Sequence, residues 1–196
     1  MRKRADVNAI LAAALSVFSE FGFGKTTLSD VAGKAGMTQS NLYLYFTNKS
    51  DLYNKTAIYA LSKWQAHVAA AMEGEKEVRT RFLVMCKSAV GYLEKDAELR
   101  NLLIKDPDIF PLFPENDPYE AVNHASVAML ENILAQGIAE KKFRPVPVKR
   151  TAEDLFLIYK MLVIRAYLHA EGGLSAETAE NTLNLLANGL FASPEK

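Results

Sequence analysis

The sequence predicts an all-α protein. Period-two alternation persists nowhere, while apolar residues recur at i, i+3, i+4 and i+7 through long segments rich in Ala and Leu. Several of these segments also open on their own capping signal and close on Gly or Pro. The expected architecture is an N-terminal three-helix helix-turn-helix domain, residues 1–48, joined to a C-terminal helical bundle, residues 49–196. About nine helices are expected in all.

Ile10, Leu11, Ala14, Leu15, Phe18 and Phe21 form one face of a first helix, which Gly22 and Gly24 stop. Thr27-Leu28-Ser29-Asp30 is a capping box, and Leu28, Val31, Ala32 and Ala35 follow at helical spacing until Gly36. Thr38 caps a third helix, Gln39 to about Tyr45, with Leu42 inward. Asn48 caps a fourth, from Lys49 to about Met72, with Asp51 in its first turn and Gly74 at its end. A fifth runs from about Glu75 to Lys95, and a short one covers Ala97 to Lys105. Asp106 to Pro118 is a Pro-rich loop holding Pro107, Pro111, Pro114 and Pro118. Asp117-Pro118 with Glu120 starts a helix to about Lys142. Arg144 to Lys149 is a linker, kept non-helical by Pro145 and Pro147. Thr151-Ala152-Glu153-Asp154 is a second capping box, opening a helix to about Ala170. Gly172-Gly173 breaks it, and a last helix runs from about Ser175 to Phe191.

Composition bounds the function class. With 196 residues, 49% hydrophobic and 23% charged, the chain has the balance of a globular protein, which argues against disorder. The longest apolar runs, Leu155 to Ile158 and Met161 to Ile164, fall short of the roughly 20 residues of a membrane span, so no membrane partner is expected. The basic start, Met1 to Arg4, leads into a mixed helix containing Glu20, unlike a signal peptide. A single cysteine, Cys86, excludes an internal disulfide and suits a reducing cytoplasm. The net charge is zero but unevenly placed: residues 1–55 carry seven basic and four acidic side chains, or +3, and the remainder carries −3. A basic head on an acidic body suits a nucleic-acid-binding module attached to something else.

Residues 28–46 carry the sharpest signal. Ala32 provides the small residue a helix-turn-helix needs where its helices cross, and Gly36, four residues on, tolerates the left-handed turn. Val31, Ala35, Met37 and Leu42 supply the apolar joint. Gln39, Ser40, Asn41, Tyr43 and Tyr45 remain to point outward, a hydrogen-bonding surface without acids that suits the major groove of double-stranded DNA. Thr27 and Lys49 sit at helix N-termini, where hydroxyl, backbone N–H and positive charge hold phosphates. The competing reading is a pair of short helices with polar exposed faces.

The run Thr26-Thr27-Leu28-Ser29-Asp30-Val31-Ala32, then Ala35-Gly36-Met37-Thr38-Gln39-Ser40-Asn41-Leu42-Tyr43-Leu44-Tyr45-Phe46, and on through Lys49 to Leu52, resembles the N-terminal signature of tetracycline-repressor-type (TetR family) transcriptional regulators. The Leu42-Tyr43 … Tyr45-Phe46 … Lys49 … Leu52 portion is the most characteristic, and Phe18, Phe21 and Gly22 fit it. The resemblance covers roughly residues 5–60. Beyond them it is one of architecture, with a weaker echo in Gly137-Ile138 and Lys142-Phe143-Arg144. It implies an Ω-shaped homodimer on a pseudo-palindromic operator, usually a repressor released by a small-molecule effector. By position it implies DNA contacts from Gln39, Ser40, Asn41 and Tyr43, and backbone contacts from Thr27, Thr38, Tyr45 and Lys49. Ser40 stands where many members have Gly or Pro, so other members' base contacts do not transfer.

Other signals are weak. Gly24-Lys25-Thr26 resembles the end of a P-loop, but Ser19 stands where the motif needs Gly, and a helix precedes it. His67, His124 and His169 lack metal-ligand spacing, and no nucleophile–base pattern stands out. No metal, cofactor or enzymatic activity is therefore expected. Cys86 reads as core.

In the C-terminal bundle, Trp64, Tyr92, Phe110, Phe113 and Tyr159 are the candidates to line a cavity between helices for an apolar or amphipathic effector. Void-free packing of these side chains would end that reading. Arg165, within an apolar helix, is expected to pair with a core acid or to anchor an anionic ligand. The last two helices, through Leu155, Tyr159, Leu162 and Ala166 and through Leu183, Leu186, Ala187, Leu190 and Phe191, are expected both to fill a core and to form a two-fold dimer interface. A dimer places two recognition helices about one DNA turn, ~34 Å, apart. Ligand binding would move the long fourth helix and change that separation. The alternative function is a helical small-molecule binder or enzyme whose helix-turn-helix is only structural.

Overall fold

The computed structural model describes residues 6–110, 117–168 and 176–192. Among them lie nine α-helices: α1 Val7–Lys25, α2 Leu28–Lys34, α3 Gln39–Leu42, α4 Lys49–Ala71, α5 Val78–Lys95, α6 Ala97–Lys105, α7 Glu120–Ala139, α8 Val148–Val163 and α9 Ala176–Leu190. A 3₁₀ turn at Pro107–Ile109 and a π turn at Ile164–Leu168 complete the helical elements. The one β-type pairing among the described residues is an isolated bridge between Phe143 and Phe191.

The caps read from the sequence at the head are made. In the α2 capping box the Thr27 hydroxyl accepts from the Asp30 N–H (3.2 Å) while the Asp30 carboxylate accepts from the Thr27 N–H (2.8 Å). Thr38 Oγ1 accepts from Asn41 N–H (3.3 Å), and Asn48 Oδ1 accepts from Asp51 N–H (2.8 Å). The Thr27 and Asn48 side chains satisfy N–H groups that a helix start leaves without a partner, and Thr38 Oγ1 shares the Asn41 N–H with Thr38 O (3.0 Å). The Gly36 turn has the left-handed φ of +67° the motif requires.

Elsewhere the structure corrects the expected elements. Phe21 is 47% exposed. Where the stripe Ile10, Ala14, Phe18 reaches its next turn, Gly22 meets the body, with Lys105 Cβ 3.7 Å from the place a Gly22 Cβ would take. Gly22 kinks α1 (φ +75°, ψ 169°) rather than ending it. α3 is a single turn, with Tyr43 as its C-cap. α7 stops at Ala139, because Lys141 takes a left-handed φ of 55° and Phe143 folds back over Gly137. α8 begins at Val148, and Thr151 donates its N–H to Pro147 O (2.9 Å) from inside the first turn, so the Thr151–Asp154 box does not form. Pro147 itself (φ −66°) presets the helix start four residues early. The regular part of α8 ends at Val163 and continues as the π turn. Gly172, Gly173, Ser175 and His169 lie outside the described residues.

α1 packs against α4 and α6, α4 against α5, and α7 against α8. One buried cluster runs continuously from Phe18 in the head through Tyr53 to Trp64 and Phe82 in the body. Among the described helices, α1 alone has the length and hydropathy of a membrane span. Its Ile10, Ala14 and Phe18 are buried inside the protein.

Candidate nucleic-acid interface and effector cavity

α2 and α3 form the helix-turn-helix. Val31, Ala32 and Leu42 are buried at their joint, and Met37 N–H donates to Ala32 O (2.9 Å) across the turn. This leaves Thr27, Thr38, Gln39, Ser40 and Tyr43 exposed and Asn41, Tyr45 and Lys49 half-buried, all on the head. The Thr27 hydroxyl also donates to Asp30 (2.7 Å), a bond that holds the Asp30 carboxyl below the usual carboxylate range. The Lys49 ammonium lies 3.4 Å from Gly24 O and 4.5 Å above the Phe23 ring, so it is anchored to the end of α1. Leu44, 79% exposed beside the 52% exposed Tyr43, is a surface residue the periodicity reading passed over. Its signal was an apolar residue set between two tyrosines, off the i, i+3, i+4 stripe.

Between α4, α5, α7, α8 and α9 lies a cavity of about 90 Å³. A water needs roughly 10–15 Å³ of such space, so it has room for a small molecule. Trp64, Phe110 and Tyr159 line it, together with Phe82, Met129 and Phe156. Trp64 stacks on Phe110 (5.8 Å between ring centres) and meets Tyr159 edge-on (5.8 Å). Tyr92 is not on the wall: it stacks behind Trp64 at 5.7 Å and gives its hydroxyl proton to Asp96 (2.8 Å). Phe113 lies outside the described residues.

The polar side of the cavity is a cluster of amides and a hydroxyl that sequence reasoning missed. Gln65 Nε2 donates to Ser126 Oγ (2.7 Å) and to Val122 O, and Asn123 Nδ2 donates to Asp117 (2.5 Å). Gln65, Asn123 and Ser126 are one helical turn apart or face each other across α4 and α7, but nothing in their sequence spacing marks them as a site. No charged side chain stands among the described lining residues. Cys86 is on the wall too, and burial pushes its thiol up to about 12.

The buried cation of α8 is Lys160, 5% exposed, not Arg165, which is exposed. The π turn at Ile164–Leu168 breaks the 3.6 register on which the Arg165 expectation rested. Lys160 Nζ lies 4.9 Å from the Phe110 ring centre and 5.6 Å from that of Phe156. Burial lowers its pKa, with the Asp117 charge opposing. His67 packs on the Tyr92 ring (5.0 Å), and His124 faces Glu120 on the surface (3.7 Å). Among the described residues no group of three or more His, Cys, Asp or Glu side chains is placed to hold a metal.

Residues 10–56, which comprise most of α1, all of α2 and α3 and the start of α4, match the sequence model of the bacterial regulatory proteins of the tetR family. The match is confined to the helix-turn-helix head and the start of α4. Over 69 residues the chain is 42% identical to the HTH-type transcriptional regulator RutR of Escherichia coli, an alignment covering 35% of the chain and 32% of RutR. The chain thus spans about a third of the length of the curated relatives it matches first. It is 24% identical over 163 residues to the uncharacterized HTH-type transcriptional regulator YvdT of Bacillus subtilis, 83% of the chain and 82% of that protein. The fold is similar to that of the regulator FadR of Bacillus subtilis, solved with stearoyl-CoA. That match has a TM-score of 0.76 at 18% identity, over 94% of this chain and 99% of FadR.

Proposed function

We propose that this chain is a DNA-binding transcriptional regulator of the tetR family, a repressor that holds a pseudo-palindromic operator as a homodimer in the cytoplasm and releases it when a small molecule enters the cavity. One observation carries the reading. The exposed, acid-free surface of α3 is joined by α4 to a body that encloses an apolar cavity. Residues 1–48 form the DNA-binding unit and 49–196 the sensing and dimerising unit. Gln39, Ser40, Asn41 and Tyr43 face the bases, and Thr27, Thr38, Tyr45 and Lys49 the phosphates. The wall of Trp64, Phe110 and Tyr159, with Gln65, Asn123 and Ser126 at one side, suits an uncharged, largely apolar effector bearing one hydrogen-bonding group. Unpaired charge in such a space would be costly. The proposed chemistry is binding, not catalysis.

The test is selection of genomic fragments by the purified protein, with Tyr43→Ala as control. A palindromic motif enriched by the wild type and lost in the variant is the expected result. Absence of enrichment at low salt, where phosphate contacts are strongest, would overturn the reading in favour of a helical binder or enzyme.

A further inference from the structure

We infer that Asp106 is a positioning residue that couples the cavity wall to the DNA-binding head, an inference that rests on the proposed function. Asp106 follows α6, and its Oδ2 accepts two hydrogen bonds from the head side. One comes from the Phe23 N–H (3.1 Å), immediately after the Gly22 kink, and one from the Tyr53 hydroxyl on α4 (2.8 Å). A single carboxylate oxygen therefore ties the end of α1 to the second turn of α4. The rings around it complete the joint: Tyr53 meets Phe18 edge-on at 4.8 Å and Phe23 at 4.9 Å, and Lys49 caps the Phe23 ring at 4.5 Å. Burial and the Asp106 bond together push the Tyr53 phenol well above its ordinary pKa, so it stays a donor.

On its other side Asp106 runs directly into the cavity wall. The 3₁₀ turn Pro107–Ile109 leads to Phe110, which lines the cavity and stacks on Trp64. The turn is internally bonded, Ile109 N–H to Asp106 O (3.2 Å) and Phe110 N–H to Pro107 O (3.0 Å), and both Ile109 and Phe110 are buried. A five-residue hydrogen-bonded segment, Asp106 to Phe110, fixed at both ends moves as a unit. A molecule that displaces Phe110 from Trp64 pulls on Asp106, and loss of its two bonds frees the α1 kink and α4 to shift the helix-turn-helix. By reciprocity of coupled binding, DNA that fixes the head must hold Asp106 and seat Phe110 against Trp64.

Reciprocity allows a test that needs no effector. Trp64 is the single tryptophan of the chain and stands on the wall beside Phe110. Operator duplex recovered by the selection is titrated into the protein, and Trp64 emission and its acrylamide quenching are followed. Wild type is expected to show an operator-dependent shift in Trp64 quenching. Asp106→Ala should bind DNA and lose that shift. Tyr53→Phe, which keeps the ring packing and removes one bond, should show a smaller shift. Asp106→Asn, whose amide oxygen accepts from the same two donors, should retain it. If Asp106→Ala is unstable, Tyr53→Phe against Asp106→Asn decides. Wild type that binds operator without a Trp64 shift, or Tyr53→Phe and Asp106→Ala with the full wild-type shift, would overturn the inference while leaving the regulator reading intact. Wild type that binds no operator overturns both.

Discussion

Gly137 shows how one missing Cβ organises the end of the body. Its Cβ would stand where the Phe143 ring lies, and Phe143 is fully buried against Phe191 (5.3 Å, stacked) and Phe82 (5.9 Å, edge-on). Gly137→Ala should therefore expel that ring and cost about 1–3 kcal/mol, the usual range for overpacking. The measurement is the midpoint of urea unfolding, and an unchanged midpoint would contradict the geometry. Cys86 gives a second prediction at this scale. An ordinary thiol ionises near pH 8.5, whereas burial holds this one at about 12. Because the thiolate is the reactive form, labelling of the native protein should still be rising about tenfold per pH unit above pH 9, where an exposed thiol has levelled off. A small molecule seated in the cavity should slow it further, since Cys86 is on the wall. A labelling rate that plateaus near pH 9 would place the thiol in water.

At the scale of the element, the head depends on side-chain caps because its helices are too short to hold themselves. α3 has four residues and α2 seven, lengths that are marginal in isolation. Thr38→Ala removes the side-chain acceptor that Asn41 N–H shares with Thr38 O and should lower head stability by about 1 kcal/mol, with a parallel loss of operator affinity as the turn frays. Hydrogen exchange at residues 39–43 would read the first and operator titration the second. Slow exchange unaltered by the substitution would mean that tertiary packing alone holds the turn. These caps were legible because Thr-x-x-Asp and Asn-x-x-Asp patterns state their own hydrogen bonds locally. The Thr151–Asp154 pattern was equally legible and wrong, because Pro147 preset the backbone four residues earlier. A capping box satisfies N–H groups only where the chain actually turns into the helix, and an upstream proline decided that first.

For the whole molecule, the expected dimer helices divide their labour. Leu162, Leu183, Ala187 and Leu190 are buried in the chain's own core, while Met161 and Leu185, 54% and 74% exposed, are left on the outer surface of α8 and α9. If these two helices form the dimer, Leu185→Glu should shift the protein toward monomer in analytical ultracentrifugation and lower operator affinity by at least tenfold, since one recognition helix reads too few bases. A Leu185→Glu protein that stays dimeric would move the interface elsewhere.

The all-α class, the head with its turn glycines and the acid-free face of α3 were determined by the sequence alone. Each rests on contacts or backbone preferences within a few neighbouring residues. Tertiary structure decided that Gln65, Asn123 and Ser126 meet, that Tyr92 stands behind Trp64, that Lys160 rather than Arg165 is buried, and that Asp106 bridges Phe23 and Tyr53. These pairings join residues tens of positions apart. Their physical reason is packing between helices, which no periodicity within one helix specifies.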